Sequence, residues 1–134
     1  TKLKKKEFIS SIKIPIYPKN IFKAYKISKR FDDDISSVCA SFNFEIKNKK
    51  IKNVKIAFGG MSSIPKRAKY CEKTLENKEF SNKILDKAKE SLMKDFSPIS
   101  DMRASKEYRI EIAKNLLTKV FAEIQNKNQI ELKN

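Results

Sequence analysis

The spacing of apolar positions changes once along the chain, from a period of two in the first half to a three-and-four repeat in the second. Between Glu7 and Ile14, Phe8, Ile12 and Ile14 fall on even positions, as in a half-buried strand, and Pro15 and Pro18 end the run. A second strand is predicted from Phe22 to Ser28, followed by a charged, exposed loop from Lys29 to Asp34. The third runs from Val38 to Ile46, with Val38, Ala40, Phe42, Phe44 and Ile46 on one core face. Asn48, Lys49 and Lys50 supply a turn, and Ile51 to Phe58 returns as a fourth strand with Val54, Ile56 and Phe58 on one side. Hairpin connections are the economical topology.

Gly59 and Gly60 close that strand, and as the only glycines of the chain they point to a positive φ or a close backbone approach. The helical period begins beyond them. Pro65 stands where a helix starts, and Ala68, Cys71 and Leu75 share its face. Ser81 is the expected cap of a second helix with the stripe Leu85, Ala88, Leu92 and Phe96, which Pro98 breaks. Ser105 caps a third, whose stripe is Ile110, Ala113, Leu117, Val120, Phe121 and Ile124, widened by Leu116. The polar tail after Asn126 is expected to fray. Strands followed by helices predict an α+β fold, an antiparallel sheet of about four strands covered by about three helices. No internal repeat or domain boundary is visible, so residues 1–134 read as a single domain.

The length of 134 residues allows roughly two thirds of the unfolded chain's surface to be buried. With 40% hydrophobic residues, two Gly and four Pro, the composition excludes a collagenous, low-complexity or obligately disordered chain. No apolar stretch approaches the ~20 residues of a membrane span, and no charged-then-apolar leader opens the sequence, so no membrane association is expected. Because the chain begins at Thr1 and its first element follows almost at once, it reads as a piece of something longer. The formal charge is +15, which raises nucleic acid as a partner. Yet only Arg30, Arg67, Arg103 and Arg109 carry the fork suited to phosphate and guanine, and the lysines are scattered over every segment. A coding bias toward A and T accounts for that excess without specific nucleic-acid binding. A basic module for nucleic acid or an acidic protein partner stands as the alternative reading.

The absences bear on catalysis. There is no histidine, nucleophile elbow, phosphate-cradling glycine loop or metal-ligand spacing, so the chain does not read as a complete active site. Cys39 and Cys71 lie in separate apolar segments and are expected to be buried thiols in a reducing cytoplasm. Asp32, Asp33 and Asp34 have the chemistry for magnesium, but beside Lys29 and Arg30 a charge-compensated loop is the better reading. Lys26 shares a strand face with Phe22, Ala24 and Ser28, where an ammonium either finds a polar partner or reaches solvent. Composition alone favours a solvated lysine.

The segment KAYKISKRFDDDIS, Lys23 to Ser36, resembles the C-terminal region of the FAD domain in xanthine dehydrogenase flavin-binding subunits. Three more stretches agree in order. FISSIKIPIYP, Phe8 to Pro18, resembles the strand ending in Ile-Pro, AFGGM, Ala57 to Met61, its Gly-Gly-Met turn, and SDMRAS, Ser100 to Ser105, its final loop and helix start. The resemblance runs from about Glu7 to Phe121 and extends to CO dehydrogenase flavoproteins and other molybdenum hydroxylases. It implies one wall of an FAD site in a chain carrying electrons from a molybdenum cofactor through iron–sulfur clusters to FAD and NAD, inactive alone. Its implied partners are the remainder of the FAD domain, an iron–sulfur domain and a molybdenum-binding subunit, in the cytoplasm. By the same resemblance Lys26 lies near the flavin ring, Phe8 and Ile9 pack beside it, and Arg30 and Asp33 belong to a mobile flavin-adjacent loop. Phe31 stands where several relatives carry a basic residue, which weakens a nicotinamide-gating role for the loop. The Gly-Gly-Met and SDMRAS segments are assigned to structure, with Asp101 and Arg103 expected to pair.

Overall fold

The computed structural model describes residues 3–31 and 33–131. Three strands, β1 (Ile21–Ile27), β2 (Val38–Lys47) and β3 (Lys50–Gly59), form an antiparallel meander, to which β4 (Lys66–Arg67) adds a short fourth edge. Helices α1 (Lys69–Leu75), α2 (Asn82–Asp95) and α3 (Lys106–Glu131) follow. The α+β class with an antiparallel sheet is therefore as predicted, but its four strands are not the four expected. Phe8 to Ile14 carries the right alternation and forms no strand, because no sheet edge among the described residues receives it. Phe8, Ile12 and Ile14 remain 77–82% exposed. Pro65 starts no helix either; it precedes β4, and the helix opens at Lys69. Helix α3 continues past Asn126 to Glu131.

The hairpin turn between β2 and β3 has Asn48 and Lys49 at φ 51° and 61°, the mirror-image turn whose twist matches that of two antiparallel strands. A bulge in β3 shifts the register between Asn43↔Lys55 and Glu45↔Lys52, with Asn53 at φ 55° in the left-handed region that asparagine tolerates. The outer edge of β3 is closed by carboxylates from α1. Glu76 accepts from the backbone N–H of Asn53 and Val54, and Glu72 from that of Ile56 at 2.8 Å. These groups stand in for strand pairing that the two-residue β4 is too short to provide.

The inner face of β2 and β3 presents Val38, Ala40, Phe42, Phe44, Ile56 and Phe58 to the helices, all essentially buried. The stripes predicted for α2 and α3 supply the other half of the core; Ile110 alone of those residues is only partly buried. An edge-to-face aromatic series crosses the sheet through Tyr25, Phe42, Phe58 and Phe96, and Phe80 stacks on Phe121 at 4.5 Å. Helix α1 takes its N-terminal cap from another helix. Asp95, at the end of α2, accepts from the N–H of Tyr70 (3.0 Å) and Cys71 (2.9 Å), while Ala68 at the cap position has no side chain for the task. Ser81 precedes α2 without a side-chain cap bond, whereas Ser105 Oγ accepts from the Tyr108 N–H as expected.

Candidate functional site: the loop-lined cleft beside the open sheet face

The helices cover one face of the sheet and leave the other open. On β1 the exposed residues are Phe22, Ala24 and Lys26, which places Lys26 on the predicted face. Strand register extends that face sideways: Lys26 lies opposite Cys39 and then Gly59, and Ala24 opposite Ser41, Ala57 and Arg67. The result is a floor of small side chains bordered by Phe22, Lys26 and Arg67, low enough for a flat group or another protein layer to approach the backbone. Lys26 makes no hydrogen bond or ion pair with any described residue. Cys39 is exposed on this face, contrary to the expectation of burial, because it alternates with the core residues Val38 and Ala40. Cys71 is buried, and desolvation together with the nearby carboxylates of Asp95 and Glu72 pushes its thiol pKa up.

At the end of β1 the chain enters the Ser28–Ser36 loop, whose base is closed by the Ser37 N–H donating to Ile27 O at 2.7 Å. Asp34 braces it from within. Its carboxylate accepts from the N–H of Arg30 (3.1 Å) and of Ile35 (2.8 Å) and lies 3.9 Å from the Arg30 guanidinium. The backbone bond from Arg30 is the main cause that lowers its pKa. Asp33 adopts φ 47°, and Asp32 lies outside the described residues. The charge-compensated loop expected from the sequence is thus built on the Arg30–Asp34 pair. Phe31 projects from it at 99% exposure.

The opposite wall is the Ser100–Ser105 segment. Asp101 Oδ1 accepts from the backbone N–H of Arg103 and Ala104, which chiefly lowers its pKa, and pairs with Arg109 at 2.6 Å. The side-chain pairing of Asp101 with Arg103 expected from sequence is replaced by this longer-range one, since Arg103 approaches Asp101 through its backbone. Cavities open between the two walls. One of about 470 Å³ is lined by Ser28, Lys29, Ser37, Tyr108 and residues 101–105. A second, about 570 Å³, joins Arg30 and Asp33 to Ile35, Met102 and Arg103. A further hollow, about 460 Å³, lies on the first wall alone, from Lys26 to Phe31. The structure therefore brings Lys26, Arg30 and Asp33 to one end of the domain. Phe8 and Ile9 line none of these cavities and stand exposed on the extended N-terminal segment.

The side chains that sequence reasoning missed are Arg109 and Glu123. Glu123 on α3 gathers Lys23 (2.8 Å), Lys119 (3.1 Å) and the Tyr25 hydroxyl (3.0 Å), anchoring the edge strand to the helix. The two ammonium groups hold its carboxyl down to about 2; burial, then the carboxylate, push Tyr25 up to about 12. A Lys-x-Tyr on the helix-facing side of a strand carries no sequence signal for a glutamate about one hundred residues away.

Residues 23–124 match the family described as CO dehydrogenase flavoprotein C-terminal domain. The chain belongs to that family. Among curated proteins it is similar to the putative xanthine dehydrogenase FAD-binding subunit XdhB of Escherichia coli K12, with 29% identity over 99 residues, covering 74% of this chain and 34% of that subunit. It is also similar to the glyceraldehyde dehydrogenase medium chain of Sulfolobus acidocaldarius, 29% identical over 127 residues, covering 92% of this chain and 44% of that one. The chain thus spans about a third to under half the length of these relatives. In fold it matches the CO dehydrogenase of Oligotropha carboxidovorans (TM-score 0.71, 23% identity, 79% of this chain, 37% of that one). Quinoline 2-oxidoreductase of Pseudomonas putida 86 gives a TM-score of 0.68 at 20% identity, covering 79% of this chain and 37% of that one. The family domain is accordingly homologous to flavin-binding subunits of xanthine and CO dehydrogenase type.

Proposed function

We propose that the chain is the C-terminal domain of a xanthine dehydrogenase-type flavin subunit and forms one wall of its FAD site. The observation that carries this reading is the open sheet face, where a lysine without a described partner borders a floor of small residues beside a charged loop. That donor set fits a flavin: a flat ring needs a shallow apolar floor, and an electron-rich ring needs a cation. FAD, when bound, supplies the redox centre between a molybdenum- and iron–sulfur-containing partner and NAD. Lys26 donates to the ring and stabilises negative charge there. Arg30 and Asp33 set the charge of the approach for the nicotinamide, and Phe8 and Ile9 contribute apolar surface from the N-terminal segment. The preceding part of the subunit, an iron–sulfur domain and a molybdenum-binding subunit complete the enzyme in the cytoplasm.

The test is flavin titration followed by fluorescence, on the 134-residue chain alone and with the preceding part of the subunit added. FAD is expected to bind only in the second case, and Lys26→Ala to weaken it on the order of tenfold, the loss of one charge-assisted hydrogen bond of ~1.5 kcal/mol or more. Tight binding by the chain alone refutes the single-wall reading. An unaltered affinity and flavin spectrum in Lys26→Ala refutes the role of that lysine.

A further inference from the structure

Of the buried charged side chains among the described residues, Glu72, Asp95 and Arg109, only Arg109 is a cation. It lies 3% exposed in the first turns of α3, yet its guanidinium serves segments outside the helix. Nη1 donates to the carbonyls of Ser37 and Gly60, and Nη2 to the Asp101 carboxylate at 2.6 Å. Nε is buried with no partner among the described residues. The three acceptors belong to three separate stretches: Ser37 between the Ser28–Ser36 loop and β2, the exit of β3, and the Ser100–Ser105 loop. Gly60 leaves the space that this requires. A Cβ there would overlap Ser37 O and stand 3.0 Å from Arg109 Nη1.

A buried guanidinium is a poor device for stability alone, because its desolvation offsets much of what its partners return, and an apolar side chain of similar volume often stabilises as well. What apolar packing lacks is direction. The planar fork fixes three backbone segments at defined angles, so they lose independent movement. Two further bonds run between the same walls: Lys29 Nζ to Met102 O at 2.7 Å and Ser37 Oγ to Arg103 O at 3.3 Å.

We propose that Arg109 is a positioning residue for the cleft, clamping Ser37, the foot of the Ser28–Ser36 loop, to the Ser100–Ser105 loop, so that the loop carrying Arg30 and Asp33 moves from a fixed base. The clamp stands on the geometry above; what the charges of the loop face rests on the flavin-wall reading.

The experiment is site-resolved amide hydrogen exchange on the 134-residue chain, comparing Arg109→Lys, which keeps the charge and loses the fork, with Asp101→Asn, which keeps the shape and loses the ion pair. The reporters are the Ser37 amide at the loop base, the Arg103 amide, and core amides of β2 and β3. The clamp predicts that exchange at Ser37 and Arg103 accelerates at least about tenfold more than in the core in the Arg109 variant, and at Ser37 also in Asp101→Asn. Uniform acceleration means that Arg109 contributes only global stability, and no acceleration that the loop needs no clamp; either overturns the proposal. A parallel measurement on the flavin-containing subunit separates the two layers. Arg109→Lys is expected to shift the flavin absorption bands or raise the KM for NAD with little change in kcat. Loop-selective exchange with an unmoved flavin spectrum and KM keeps the clamp and overturns the flavin-facing role of the loop.

Discussion

Replacing Asp95 by alanine removes the cap of a helix to which it does not belong, and the structure allows the cost to be worked out. Asp95 is 5% exposed and its two carboxylate oxygens accept from the N–H groups of Tyr70 and Cys71, the latter bond fully buried. Without the carboxylate the Cys71 N–H has no water to turn to, which costs ~1–3 kcal/mol. The Tyr70 N–H is only part-buried and behaves as an ordinary capping donor, adding ~0.5–1 kcal/mol. A loss of about 1.5–4 kcal/mol follows, or a Tm lower by about 5–16 °C for a chain of this size. Asp95→Asn keeps one oxygen, enough for the buried Cys71 N–H, and sets its NH2 against the Tyr70 N–H, so it should lose about 1–2 kcal/mol. Urea unfolding of both variants checks the magnitude, and hydrogen exchange checks the place, since α1 amides should lose protection ahead of those in α3. Alanine within 0.5 kcal/mol of the parent, on the order of an ordinary surface substitution, would refute the assignment of Asp95 as the cap.

The glycines should separate cleanly. Gly60 sits at φ 80° with Ser37 O in the way of a Cβ, while at Gly59 a Cβ would meet only Cys39 Cβ at 3.7 Å; Gly60→Ala should therefore destabilise by ~2 kcal/mol or more in denaturant unfolding, and Gly59→Ala by far less. The Glu123 cluster predicts pH dependence at both extremes. With its carboxyl held down to about 2, Glu123 contributes stability present above the unfolded carboxyl's pKa of ~4.3 and lost as pH falls toward 2. Tyr25, pushed up to about 12, loses its contribution as pH rises from ~10 to 12. Glu123→Gln should flatten the acid limb of a Tm-against-pH profile and only lessen the alkaline one, where burial of Tyr25 persists; an unchanged acid limb would assign the dependence elsewhere. A maleimide or disulfide probe should label Cys39 in the native protein and Cys71 only on unfolding, and equal labelling would contradict the burial of Cys71.

The stripes of α2 and α3 and the alternation of β2 were legible because a period of two or of three-and-four reports which side of an element meets the core, whatever lies across from it. The four short matches in order were legible as a family resemblance, and the outward face of Lys26 followed from the alternation of β1. Pattern alone misled at Phe8 to Ile14, since alternation states that a segment could be half-buried and leaves open what covers it. It misled at Cys39 as well, where an apolar neighbourhood in sequence placed on the wrong side of the sheet a residue that alternation itself sends outward. Composition and period thus determined the class, three of the four strands, the three helices and most of the core. Only the tertiary structure decided that Asp95 caps α1, that Glu72 and Glu76 close the edge of β3, and that Arg109 gathers Ser37, Gly60 and Asp101. Hydrophobic burial depends on one residue and its spacing, and so is written locally. A hydrogen bond depends on two groups whose chain separation is arbitrary, and its partner exists only once the fold has brought the segments together.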